Sequence, residues 1–208
     1  MQALLWRDYL CPWCYLGRDR TALMVELGVE VTSLAYELHP EIPREGRPVR
    51  PDGRFAAVLE RIGAECEVVG LPFRPPSRIA NTRRALEVSE VVRTLAPEAF
   101  PAVDASFYDA QWVDERDLGD PAVVDALLAD AGVDPAPVHA ALDAGDGRRA
   151  VEASMAEARE HDVTGTPAWW VGDRLLIPGV QDRSTVERWV GRLGARSAAA
   201  PEDREGGR

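Results

Sequence analysis

The sequence predicts an α/β fold in which a strand–helix–strand opening and a strand–strand–helix ending are separated by a long helical stretch. Three observations carry this. An apolar run over residues 1–6 gives way to a helical pattern and then to an alternating segment over residues 29–36. Residues 55–161 read as almost wholly helical. From Ala168 onward, two short apolar segments flank Gly172-Asp173, and a last helical stretch follows.

Each element has a local cause. Residues 1–6 (Met-Gln-Ala-Leu-Leu-Trp) form a short apolar run, the pattern of a buried strand. After it, Leu16, Leu23 and Leu27 recur on one side of a helix. Pro12 suits the first turn of that helix, because its missing N–H would have no intrahelical partner there. Cys11 therefore falls at or just before the helix N-terminus, where unpaired N–H groups and the helix dipole favour an anion. A thiolate is such an anion, so the Cys11 pKa is expected to be depressed. Cys14, one turn on, is placed to attack a mixed disulfide on Cys11. Residues 29–36 (with Val29, Val31, Ser33 and Leu34) form a second strand, parallel to the first through a right-handed helical crossover. Residues 40–52 hold four prolines and read as a loop at the active end of that strand.

In the helical stretch, residues 55–62 are amphipathic and residues 85–92 continue the theme. Asp120-Pro121 and Asp134-Pro135 each pair an N-cap with proline at the first helical position, and Gly132 and Gly145 stand where C′ glycines belong. Residues 150–160, with Val151, Met155 and Ala158 on one face, give the last helix before Gly165-Thr166-Pro167. That turn leads into a strand over 168–171, a hairpin turn at Gly172-Asp173 and a second strand from Arg174. A helix over 184–193 closes the fold, with Ser184 and Glu187 in capping-box spacing. Beyond Arg196 periodicity is lost, and disorder is expected over residues 196–208.

The Cys11-x-x-Cys14 pair admits three readings. Zinc wants four ligands, and the chain has one further cysteine, Cys66, with no second Cys-x-x-Cys and no His-x3-His. A structural disulfide closing so short a loop gains little. Redox or thiol chemistry is the reading that the spacing favours. Pro167 at the mouth of a strand is by itself an ordinary turn residue; together with the cysteine pair it resembles the thioredoxin fold, whose members set a cis-proline against the redox pair and offer the preceding residue's backbone to substrate.

The resemblance narrows on further segments. Asp8 and Cys11-Pro12-Trp13-Cys14-Tyr15-Leu16-Gly17 resemble the DsbA family, specifically its FrnE-like branch. The segment Glu37-Leu38-His39-Pro40-Glu41-Ile42-Pro43-Arg44-Glu45-Gly46 is similar to that branch after the second strand, with His39 where asparagine is expected. Gly70-Leu71-Pro72-Phe73, Asn81-Thr82, Phe107-Tyr108, Leu118, Gly165-Thr166-Pro167 and Gly179-Val180-Gln181 follow in the family's order, over about residues 1–195. The resemblance implies a thioredoxin-like fold with a large all-helical insertion between the βαβ and ββα halves. The thioredoxin-like part would be residues 1–40 and 160–195, and the insertion residues 41–159, a lid over the redox pair. It implies a disulfide oxidoreductase in which Cys11 and Cys14 are catalytic and Pro12, Trp13, Thr166, Pro167, Asn81 and His39 bind substrate. No metal or organic cofactor is implied; glutathione or a thioredoxin-type partner would reset the pair. The partners implied are thiol or disulfide substrates, protein or glutathione, met by a monomer or homodimer. Related 2-hydroxychromene-2-carboxylate isomerases and kappa-class enzymes share the fold but typically use serine to activate glutathione, so a glutathione-dependent isomerase or transferase acting on small aromatic compounds is the alternative.

Composition bounds these readings. The net charge of −11 argues against a nucleic-acid footprint. All 24 basic residues are arginine, from which nothing functional follows. No basic leader or span-length apolar run is visible, and three cysteines suit catalysis over stapling, so a cytoplasmic protein without membrane contact is expected. Several residues carry plainer expectations. Cys66 reads as a buried inert thiol, His161 as a surface residue at a helix end, and His139 as structural. Asn81 doubles as a helix N-cap, and Asp8 is either a proton relay or, more simply, a helix cap. Trp13 brings no positive charge to the thiolate, which predicts a less oxidising pair than one with histidine there.

Overall fold

The computed structural model describes residues 1–50 and 53–198. In chain order the elements are β1 (Gln2–Arg7), α1 (Pro12–Glu26), β2 (Glu30–Ala35), β3 (Arg47–Pro48), α2 (Arg54–Val69), β4 (Arg78–Ile79), α3 (Arg83–Leu95) and α4 (Phe100–Trp112). They continue with α5 (Pro121–Asp130), α6 (Pro135–Asp143), α7 (Asp146–Glu160), β5 (Ala168–Val171), β6 (Leu175–Pro178) and α8 (Arg183–Ala198).

β1 and β2 are parallel with α1 as their crossover, paired from Gln2↔Glu30 to Arg7↔Ala35. β5 lies antiparallel to the other edge of β1, and β6 antiparallel to β5, giving the order β2-β1-β5-β6. Side chains alternate across this sheet. On one face Ala3, Leu5, Trp169 and Val171 pack against Leu23 and Met24 of α1 and Val186 and Val190 of α8. On the other, Trp6, Leu34 and Ala168 pack with Ala158 and Val163. There the Trp6 indole donates to the Ser154 carbonyl at 3.2 Å, and the Ser154 hydroxyl to the Ala35 carbonyl at 2.5 Å. The first strand reads as continuously apolar because both of its faces are covered.

The main hydrophobic core runs on from the cysteine motif into the helices, joining Tyr9, Leu10 and Tyr15 to Leu59, Ile62, Leu86, Phe107, Trp112 and Leu128. It thus crosses the position at residue 40 where an insertion is expected to begin, and α7 packs on the sheet although residues 146–159 fall within the expected insertion.

The caps follow the sequence closely. The Asp120 and Asp134 carboxylates accept from the N–H groups of Ala122 and Ala136, and Gly132 and Gly145 have φ of 77° and 78°. Five details differ from expectation. The first strand ends at Arg7, not Trp6. Leu27 caps α1 from an exposed position instead of joining its buried face. The proline-rich loop contains β3, which pairs with β4 in a two-stranded ribbon. Gly46 makes the ribbon's close approach feasible: its φ is 74°, and a Cβ there would lie 2.6 Å from the Ile79 carbonyl oxygen. Residues 51–52 of that loop lie outside the described residues. Finally, the Asp182 carbonyl accepts from Thr185 and Val186, so α8 starts ahead of Ser184, which sits inside the first turn and not at a capping box. The helix continues into residues 196–198, the start of the tail expected to be disordered; residues 199–208 lie outside the described residues.

Candidate active site

The site forms where three chain segments meet at the C-terminal end of β1: the start of α1, the loop after β2 and the turn before β5. Cys11 is the N-cap of α1, with extended backbone (φ −85°, ψ 113°) and Pro12 as the first helical residue. The N–H groups of Cys14 and Tyr15 bond back to the Cys11 carbonyl at 3.0 and 3.2 Å. The Thr166–Pro167 peptide is cis, and the Cys11 Sγ lies 3.4 Å from the Thr166 carbonyl oxygen. Pro167 in turn packs against α1 at Gly17, where a Cβ would stand 3.3 Å from the proline ring and 3.2 Å from Trp169.

The two cysteines are buried and free, yet electrostatically unlike. A hydrogen bond from the Cys14 thiol lowers the Cys11 pKa, overcoming burial, with Thr166 and the Cys14 N–H acting in the same direction. Burial raises the Cys14 pKa well above the ordinary thiol value, and the neighbouring Cys11 raises it further. The two environments thus pull the thiols apart, favouring the thiolate form at Cys11 over Cys14. Cys66, in α2, is fully buried, and burial pushes its thiol up to about 11, consistent with an inert packing residue.

Cys11 opens on a cavity of about 290 Å³. Of the residues singled out in the sequence, Pro12, Trp13, His39 and Thr166 share its wall with Cys11. His39 Nδ1 is 2.9 Å from Glu41 Oε1, and the Arg61 guanidinium lies 5.1 Å from the centre of the Trp13 ring, bringing a positive charge beside a motif that has none of its own. Asn81 is outside this wall. Its Nδ2 donates to the Ile42 carbonyl at 2.6 Å, holding a wall residue in place, and its Oδ1 accepts from the Arg83 N–H, a capping contact, although Thr82 is the N-cap position of α3. Pro167 and Cys14 are in the wall of a second cavity and not of this one. His161 caps the C-terminal end of α7 between Trp6 and Trp170, and His139 pairs with Asp125.

The expectation that Asp8 caps the helix fails. Its carboxylate, fully buried, accepts from Leu38 N–H at 2.8 Å, Leu10 N–H at 3.3 Å and Thr82 Oγ1 at 2.6 Å. It thereby ties the motif loop to the loop after β2 and to the start of α3. Burial raises its pKa, against the pull of those hydrogen bonds.

Arg47, Phe55, Val58 and Ile79 also line the Cys11 cavity, and none was singled out in the sequence. They come from the β3–β4 ribbon and the start of α2, which only tertiary structure brings over the motif. Among the described residues no group of three or more His, Cys, Asp or Glu stands together as a metal site, and no helix is long and apolar enough to cross a membrane.

The model of the DSBA-like thioredoxin domain matches residues 4–190. No curated protein matches the chain significantly. Among solved structures, a probable DsbA oxidoreductase from Streptomyces coelicolor superposes with a TM-score of 0.80 at 23% identity, covering 100% of this chain and 93% of its own. A 2-hydroxychromene-2-carboxylate isomerase gives 0.76 at 19% identity, covering 95% and 98%. The cytosolic disulfide reductase DsbM from Pseudomonas aeruginosa, solved with GSH, gives 0.66 at 18% identity, covering 95% and 100%. At these identities the likeness is one of fold.

Proposed function

The chain belongs to the DSBA-like thioredoxin domain family, and from that premise we propose that it is a cytoplasmic thiol–disulfide oxidoreductase working through Cys11 and Cys14. The observation that carries the reading is Cys11 itself: an N-cap thiol of lowered pKa, 3.4 Å from the Thr166 carbonyl and open to a cavity. In the reaction, the Cys11 thiolate attacks one sulfur of a substrate disulfide and the other leaves as a thiolate that takes up a proton. The mixed disulfide lies along Thr166 and Pro167. Cys14 then gives up its proton and attacks the Cys11 sulfur, releasing the second substrate thiol and leaving a Cys11–Cys14 disulfide. The exchange balances: the two electrons that reduce the substrate disulfide come from the Cys11–Cys14 dithiol, which is oxidised to one disulfide. Glutathione or a thioredoxin-type dithiol returns the pair to its reduced form, and no metal or organic cofactor enters. His39, Trp13 and Pro12 would shape the substrate side of the Cys11 cavity, with Asn81 acting through Ile42.

The apolar part of that cavity (Leu10, Leu38, Ile42, Phe55) favours one alternative, a glutathione-dependent isomerase acting on a small aromatic compound. Equilibration in glutathione buffers separates the two. A reversible two-electron transition followed by Trp13 fluorescence, lost in Cys11→Ser, is expected of the oxidoreductase. Tight glutathione binding with no internal disulfide would put the isomerase in its place. Cys14→Ser is expected to accumulate mixed disulfides on Cys11; normal turnover by that variant would sink the two-cysteine mechanism.

A further inference from the structure

A second cavity, of about 450 Å³, lies on the other side of the motif, between α1, α4 and the β1–β2 part of the sheet. Cys14, not Cys11, stands in its wall. Leu5, Val31 and Trp169 give it an apolar floor, and Arg7, Arg18 and Asp104 are its charged groups. Arg7 is the unusual one. It is 1% exposed, and only its Nη2 has protein partners, Asp104 Oδ1 at 2.9 Å and Ser89 Oγ at 3.3 Å. Its Nε and Nη1 are buried without a protein hydrogen-bond partner. Asp104 is shared, since it also accepts from the Tyr9 hydroxyl at 2.9 Å, while Arg18 is paired outside the cavity wall with Asp109 at 2.6 Å.

Buried polar groups are ordinarily satisfied, and a guanidinium is a planar fork of donors that matches a carboxylate. Arg7 and Arg18 each have a carboxylate partner, Asp104 and Asp109, so what sets this wall apart is the unused donor capacity of the Arg7 fork, which lies 4.4 Å over the Tyr9 ring beside an apolar floor. The volume falls within the range of about 300–1,000 Å³ typical of small-molecule sites. We propose that this cavity binds a small carboxylate with an aromatic or aliphatic body, the carboxylate drawn to Arg7 and Arg18 and the body lying on Leu5, Val31 and Trp169. A ligand so placed covers Cys14 and leaves the Cys11 cavity open. The site does not depend on the redox reading, because it needs only the wall and its charge.

The test uses the full chain as its reduced Cys11→Ser variant, with 2-naphthoate as probe and 2-naphthamide as its uncharged match. Calorimetry is expected to show one saturable naphthoate site, at least about tenfold tighter than the amide. Saturating naphthoate should slow carbamidomethylation of Cys14, read by peptide mass against an added cysteine-containing peptide as reference. Ala105→Phe, which fills the cavity from α4 at a half-buried position, should remove both effects while far-UV circular dichroism stays unchanged. Arg7→Met should erase the preference for acid over amide; if that variant does not fold, Arg18→Met at the open side should weaken it. Equal affinity for acid and amide overturns the proposal. So does binding that survives Ala105→Phe, Cys14 alkylation that saturating naphthoate leaves unslowed, or no saturable heat up to about 5 mM probe.

Discussion

Cys11 and Cys14 sit one helical turn apart, and what separates their chemistry is the direction of each environment. Cys11 collects hydrogen bonds that favour its thiolate, the first of them from Cys14, whereas Cys14 is desolvated beside the charge it helps to stabilise. The sign of the pH dependence follows. A lowered Cys11 pKa keeps the thiolate populated as pH falls, so alkylation of Cys11 in the reduced protein should reach half its maximal rate below the ordinary thiol value of about 8.5. Cys14→Ala removes the leading cause and should move that midpoint up. Asp8→Asn should move it down, because the buried Asp8 charge pushes the Cys11 pKa up. The same variant turns one carboxylate oxygen into an N–H₂ donor. With three donors converging on Asp8, one loses its acceptor, at a cost of about 1–3 kcal/mol. Iodoacetamide rates against pH with cysteine-resolved mass readout, alongside urea unfolding, measure both effects; a midpoint unmoved by either substitution would refute this account of the thiolate.

At the scale of elements, the ends of α5 and α6 rest on punctuation that a single sequence displays: an aspartate cap, a proline at the first position and a C′ glycine. Asp120→Ala and Asp134→Ala should each cost about 1 kcal/mol in urea unfolding, adding when combined. Gly17 is placed for a different reason, as the point where α1 meets Pro167 and Trp169. Gly17→Leu should overpack that contact, destabilise by about 1–3 kcal/mol and slow disulfide exchange, read from the same unfolding curve and a glutathione assay. This contrast explains what was legible beforehand. The βαβ opening, the Cys11 N-cap, the β5–β6 hairpin and the two Asp-Pro helix starts announce themselves within a few residues. The β3–β4 ribbon does not, because two-residue strands have no period and the pairing joins Arg47 to Ile79 across α2. Arg47, Phe55 and Ile79 were therefore invisible as cavity wall. Arg7 escaped because the apolar run ends at Trp6, and only the parallel register with Ala35 extends the strand by that residue. Asp8 looked like a cap on spacing alone, and its three actual donors come from segments distant in sequence as well as near.

For the molecule as a whole, the decisive feature is that the helices between the two halves of the sheet share one core with the motif. Tyr9 makes this concrete. Its ring packs edge-on to Phe107 and Tyr108, its carbonyl accepts from the Trp112 indole at 2.8 Å, and its hydroxyl donates to Asp104. From the sheet side, Arg7 pairs with Asp104, and Glu90 of α3 accepts from the Ala35 N–H at 2.7 Å. Detaching the helices would expose the apolar neighbours of Cys11 to water and break the Arg7–Asp104 and Ala35–Glu90 contacts together, so the two parts stabilise each other. Unfolding should therefore be a single cooperative transition. Far-UV circular dichroism, dominated by the helices, and tryptophan fluorescence, which includes Trp6 and Trp169 in the sheet, should give coincident urea curves. Trp112→Phe removes one buried donor and leaves the Tyr9 carbonyl without it, at about 1–3 kcal/mol. If the core is continuous, that substitution shifts both curves together by the same midpoint change. Two separated transitions, with the substitution moving only the helical one, would mean that the helices fold as a unit of their own and that the contacts around Tyr9 contribute little to holding the site together.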